Sequence, residues 1–185
     1  MARARLDGPC LRRVRRFRMI LNRQRDVRVS LRRLEEFYRR ARRELRLSKG
    51  SLTICLVTDT EIARWNRAYR GKNRPTDVLS FPSGREAERK ARQVRGRGGS
   101  TLKRKRRRHG AAPFFAKASA AYLGDIAIAP SVARRNARRL GRSVEDEMRI
   151  LVLHGMLHLM GYDHETDAGQ MDRREQRLRR KLGLA

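Results

Sequence analysis

The chain is 185 residues long and carries 48 Lys and Arg against 19 Asp and Glu, a formal charge of +29. Leu, Ile, Val and Phe make up roughly 22% of it, just above the level below which so charged a sequence forms no core. No apolar run reaches the ~18 residues of a membrane span, which excludes an integral membrane protein. Cys10 and Cys55 are too few for a disulfide framework.

The Arg-rich start lacks the apolar stretch of a secretory signal, so a reducing, cytoplasmic setting is expected. A surface this basic releases counterions when it meets phosphate, which makes nucleic acid the leading partner class. Residues 1–22 read as a flexible basic arm, within which Met19 is a possible alternative start. Residues 23–185 read as a single domain.

In chain order, Asp26-Val27-Arg28-Val29 alternates as a short strand does. Ser30 offers an N-cap, and Leu31, Leu34, Phe37, Ala41 and Leu45 recur at helical spacing over 31–46. Leu52 to Val57 reads as a buried strand. Thr58 with Glu61 forms a capping box that opens a helix through about Tyr69. Gly71 to Pro75 is turn chemistry, and Asp77 to Phe81 is a strand stopped by Pro82. From Gly84 to about Ser119 the pattern collapses. A basic insertion at 85–118 holds six consecutive cations, Lys103 to Arg108, and reads as a solvated loop. Tyr122 to Ala129 resumes as a strand, Ser131 caps a helix ended by Gly141, and Ser143 with Asp146 starts a helix over about 144–160. The expected fold is α/β, a small mixed sheet of about four strands packed by helices. Strand order is not readable.

Three of the four histidines fall within eleven residues, as His154, His158 and His164. Positions i and i+4 on a helix put two imidazoles on one face. Gly161 can take positive φ, end the helix and bring His164 round as a third ligand. Three imidazoles leave a tetrahedral ion one open place, the layout of a catalytic rather than a structural zinc. A lone histidine on an apolar helix is usually a packing residue; the triple spacing is what lifts these three above that background. Zinc peptidases with an HExxHxxGxxH pattern share the spacing, but Gly155 stands where they carry the glutamate that deprotonates water. That argues against a peptidase. Asp163 or Glu147 is a conceivable substitute base, with Asp163 better suited to orienting a ligand.

The segment His154-Gly-Met-Leu-His-Leu-Met-Gly-Tyr-Asp-His164 resembles the signature of the YbeY family, the zinc-dependent endoribonucleases of bacterial rRNA maturation. Tyr69-Arg-Gly-Lys-Asn-Arg-Pro-Thr-Asp-Val-Leu-Ser-Phe-Pro82 is similar to the family's YRGKxxPTDVLSFP stretch, and Leu123-Gly-Asp-Ile-Ala-Ile128 to its LGDIxI strand. The resemblance covers about two-thirds of the chain. It implies an α/β fold in which one helix supplies the metal histidines. It also implies single-strand-specific cleavage of RNA, at the 3′ end of 16S rRNA, and a role in ribosome quality control. Partners would be rRNA, pre-ribosomal particles or ribosomes, with ribosomal proteins or an assembly GTPase possible besides.

By position, Arg70 matches the arginine that the family places near its zinc, so the resemblance gives it a catalytic role on the phosphate. Two rivals stay open: a non-catalytic, zinc-stabilised RNA-binding assembly factor and, less well supported, a zinc metallopeptidase. The insertion either widens the RNA footprint or is a tolerant surface loop inflated by arginine codons.

Overall fold

The computed structural model describes residues 19–48, 51–83, 122–164 and 167–184. The first eighteen positions and the basic insertion lie outside them, so the readings made there have no structural counterpart. The described elements are β1 (Ile20–Asn22), α1 (Leu31–Glu44), β2 (Leu52–Leu56), α2 (Asp59–Arg70), β3 (Val78–Pro82), β4 (Gly124–Ile128), α3 (Pro130–Arg139), α4 (Val144–Leu159) and α5 (Gln170–Leu182). The sheet runs β1-β2-β4-β3, with β3 antiparallel to β4 and the other pairs parallel. This is the mixed four-stranded α/β arrangement that the sequence suggested.

The first strand lies at Ile20–Asn22, where Ile20 pairs with Ile54, and not at 26–29. The physical reason is local. Gln24 Oε1 accepts from the Val27 amide at 2.9 Å and its Nε2 donates to the Val27 carbonyl at 3.0 Å. That side chain mimics a strand partner, so the alternating residues close a turn rather than a ladder. The third helix also starts earlier than expected. Pro130 occupies its first turn behind Ala129, and the Ser131 hydroxyl, freed from capping, donates to Asp59.

The period-2 alternation of the strands divides the core in two. Ile54, Leu56, Ile126 and Ile128 face α1, α4 and α5, with Leu34, Phe37, Leu153 and Met156 filling the space between. Cys55, Val57, Leu79, Phe81 and Ala127 form the other face, covered by Ile62 and Trp65 of α2. The capping box at Thr58 and Glu61 is present, and Gly71 ends α2 at φ 72°. The turn that follows is tied down at both ends. Asn66 Nδ2 donates to the Arg74 carbonyl at 2.8 Å, and Asp77 Oδ2 accepts from Asn136 Nδ2 at 2.9 Å. Among the described residues no helix is long and apolar enough to cross a membrane.

Candidate metal centre

Helix α4 has both an electrostatic and a steric reason to sit where it does. Ser143 caps it by accepting from the Asp146 amide at 3.0 Å, and Glu145, Asp146 and Glu147 complement the helix dipole in the first turn. Ten of its sixteen residues are buried, because it lies across β3 and β4. Gly155 permits that close approach. A Cβ there would stand 2.8 Å from Ile126 Cγ2, and the Gly155 carbonyl accepts from Ser80 Oγ at 3.4 Å. The position at which a zinc peptidase holds its base is therefore packed against the sheet.

At the other end, Met160 closes the helix and Gly161 turns the chain at φ 101°. The turn returns His164 to the helix face. The rings of His154 and His158 lie 4.6 Å apart centre to centre, and those of His164 lie 5.4 Å and 5.1 Å from them. One ring nitrogen from each of the three falls within 4.8 Å of the others. His154 and His158 are half-buried while His164 is exposed, so the cluster opens to solvent on one side.

Two features make this donor set fit a cation. The Nε2 atoms of His154 and His158 are 3.1 Å apart. Two nitrogens bound tetrahedrally at zinc-like distances are separated by about 3.3 Å, so little movement is needed. Second, Glu175 on α5 meets His154 Nδ1 at 2.9 Å. An ionised carboxylate can only accept, so the proton of His154 sits on Nδ1 and its Nε2 lone pair is directed at His158. A nitrogen pair this close, with one lone pair so committed, is bridged either by a hydrogen donated from His158 or by a metal ion.

Glu175 is buried, and its second oxygen pairs with Arg179. Burial favours the neutral acid, but the hydrogen bond from His154 together with the Arg179 guanidinium outweighs it and holds the carboxyl below its usual range. Because folding lowers this pKa, the anion's stabilisation is present above the unfolded value near 4.5 and is lost as pH falls through the folded one. Glu175→Gln is accordingly expected to weaken metal affinity by about 10- to 100-fold. It should also flatten the acid side of the stability–pH curve. Competition with a chromogenic chelator and urea midpoints taken across the acid range check the two effects. Unchanged metal affinity would remove Glu175 from the site.

Sequence reading found all three histidines but assigned the orienting carboxylate elsewhere. Asp163 reads as orienting a ligand; the carboxylate on His154 Nδ1 is Glu175, which the sequence reading did not single out. The signal was available in α5, where Met171, Leu178 and Leu182 mark the buried stripe and Glu175 occupies a place on it. A charged residue on an apolar stripe needs a partner. Glu147, the other candidate, is buried early in α4 with Arg142 Nη1 at 3.5 Å from its carboxylate.

Arg70 is the last residue of α2 and is exposed. Tyr69 stacks edge-on against Phe81 of β3 with centroids 4.9 Å apart, and β3 also carries the Ser80 bond to α4. The arginine thus stands at the β3 edge of the sheet, next to the strand on which the histidine helix packs.

The model of the family described as "Endoribonuclease YbeY" matches residues 19–183, which takes in every element above from β1 to α5. The chain belongs to the YbeY family. Among its relatives, the protein named "Endoribonuclease YbeY" from Solibacter usitatus is 40% identical over 82% of this chain and 78% of its own. The like-named protein from Koribacter versatilis is 34% identical over 90% of this chain and 86% of its own. A solution structure of a Thermotoga maritima protein superposes with a TM-score of 0.52 at 24% identity, covering 88% of this chain and 87% of that one. At that identity the likeness concerns the fold. In this YbeY chain all three motifs noted in the sequence fall on structural necessities: the α2–β3 turn, the β3–β4 contact and the histidine helix.

Proposed function

We propose that this chain is a zinc-dependent, single-strand-specific endoribonuclease that acts in the cytoplasm on the 3′ end of 16S rRNA and in ribosome quality control. The observation that carries the reading is the convergence of His154, His158 and His164 on one point, with the His154 tautomer set from behind by Glu175. Family membership and the names of the relatives support RNA as the substrate. His154, His158 and His164 would hold a divalent ion, which when bound would supply Lewis acidity to a phosphoryl oxygen and to water.

The remaining work falls to the chain itself. Arg70 offers a planar double donor that binds a phosphate and stabilises the charge that develops on it during cleavage. His164 forms the exposed lip of the cluster, which leaves one side open to an extended strand. The surplus of lysine and arginine supplies affinity for the RNA backbone, which is strongly salt-dependent and adds no rate. Ribosomal proteins or an assembly GTPase would then present the rRNA end.

Metal analysis of purified protein, beside cleavage of single- and double-stranded RNA with and without a chelator, tests this reading. We expect close to one zinc per chain, cleavage of the single strand, and loss of cleavage on chelation that added zinc restores. RNA binding without cleavage in any metal would instead make the chain a non-catalytic assembly factor.

A further inference from the structure

A cleft of about 500 Å³ lies between the α3–α4 turn, the first half of α4 and the last turns of α5. Its α4 wall includes Asp146 and Ile150, two and one helical turns before His154 on successive i+4 steps. Its α5 wall includes Arg179, whose guanidinium also pairs with Glu175. Since Glu175 in turn holds His154, a single carboxylate separates the cleft wall from the metal centre.

The lining has two characters. Leu140, Ile150 and Leu184 are apolar, and Leu140 is 51% exposed, one of two large apolar side chains left so among the described residues. Arg142, Arg179 and Arg180 are cationic. Arg142 and Arg179 each face a buried carboxylate, and Asp146 is engaged by Arg149 at 3.0 Å. Arg180 has no carboxylate within ion-pair reach among the described residues, and Arg179 Nε is a buried donor without an acceptor. Gln176 adds an amide that can both donate and accept.

Helix dipoles do not reverse this. The C-termini of α3 and α5 and the N-terminus of α4 sum to about half a negative charge, against the whole charge of Arg180, which faces no carboxylate among the described residues. A ligand suited to the cleft is therefore weakly polar at one end and anionic at the other, within the size range of small-molecule sites.

We propose that this cleft binds one nucleotide unit of a single-stranded RNA, with the phosphate on Arg180 and Arg179 and the base against Leu140. The proposal rests on the RNA-cleavage reading above and extends it by giving the strand a second point of contact, behind the histidine cluster rather than on it. Single-strand binding combines cations for the phosphates with a surface that covers the base; here the apolar side chains of Leu140, Ile150 and Leu184 stand in the place usually taken by an aromatic ring.

The test uses the full chain and a fluorescein-labelled single-stranded oligoribonucleotide. A doubly substituted cleft variant, Leu140→Glu with Arg180→Glu, changes two exposed side chains. The control is Arg32→Glu with Arg43→Glu on α1, which changes the net charge by more. Anisotropy should show the cleft variant binding at least about tenfold more weakly than wild type, with a KM raised to match and kcat unchanged. The α1 control should move far less.

Wild-type affinity in the cleft variant overturns the proposal, as does equal weakening by the α1 control, which would mean bulk charge alone. A fall in kcat at unchanged affinity also overturns it, since the cleft would then act only through the fold. If wild-type protein binds the oligonucleotide through the cleft but cuts no RNA with any metal, the proposed activity fails while the cleft site stands.

Discussion

His158→Ala is expected to lose metal and to reduce RNA cleavage on the order of 10³-fold, with RNA affinity held within about twofold of wild type. The separation follows from where the residue sits. His158 is half-buried, one turn from His154 on α4, and its Nε2 is one of the two nitrogens 3.1 Å apart. Removing it leaves two imidazoles, and the remaining donor set loses the chelate face that the helix spacing provides. Affinity for RNA comes instead from a charge of +29 spread over the chain, which this substitution leaves in place. Elemental analysis, cleavage assays and filter binding on one preparation separate the two properties. Because a basic protein readily carries contaminating ribonucleases, cleavage by this variant at the wild-type rate would show that the activity belongs elsewhere.

The largest effect on stability is expected from Gly124→Ala, a loss of roughly 3–5 kcal/mol. Gly124 opens β4 at φ 143°, a backbone region that side-chain-bearing residues rarely enter. A Cβ there would lie 2.1 Å from the Phe81 carbonyl oxygen and 3.0 Å from Pro82 Cα. Both obstacles are backbone atoms of the adjacent strand, so no rotamer change relieves the clash. Strand β3 would have to withdraw from β4, giving up the Leu79–Ala127 register and the apolar contacts of Phe81. Against a typical total of about 5–15 kcal/mol, such a loss is severe. For a chain of this size it lowers the melting temperature by about 10 °C or more. A melt within about 2 °C of wild type would mean that the edge strand yields freely.

The sequence was most informative where a local rule decides the outcome. The capping box at Thr58 and Glu61, the turn at Gly71 and the i+4 histidines depend on near neighbours, and each occurs where its spacing puts it. It was least informative where distant segments compete for one group. The amide of Val27 finds Gln24 rather than a strand, and Ser131 abandons its cap for Asp59, seventy-two positions away. Glu175 belongs to the same class, since its partner His154 lies twenty-one positions back and on another helix. The place of β4 between β2 and β3 was likewise beyond a single sequence, because a period of two tells which face a residue takes and nothing about which strand lies alongside.

The contact between Gly155 and Ile126 bears on how this scaffold could change its chemistry. Restoring the zinc-peptidase motif looks like one substitution, but the new side chain would start inside the sheet's own packing. The helix would first have to rise off β4, which would also carry His154 and His158 away from Glu175. A lineage or a designer seeking to make this molecule cut proteins must rebuild the interface between two layers, so the depth at which the helix is seated guards the reaction it can perform.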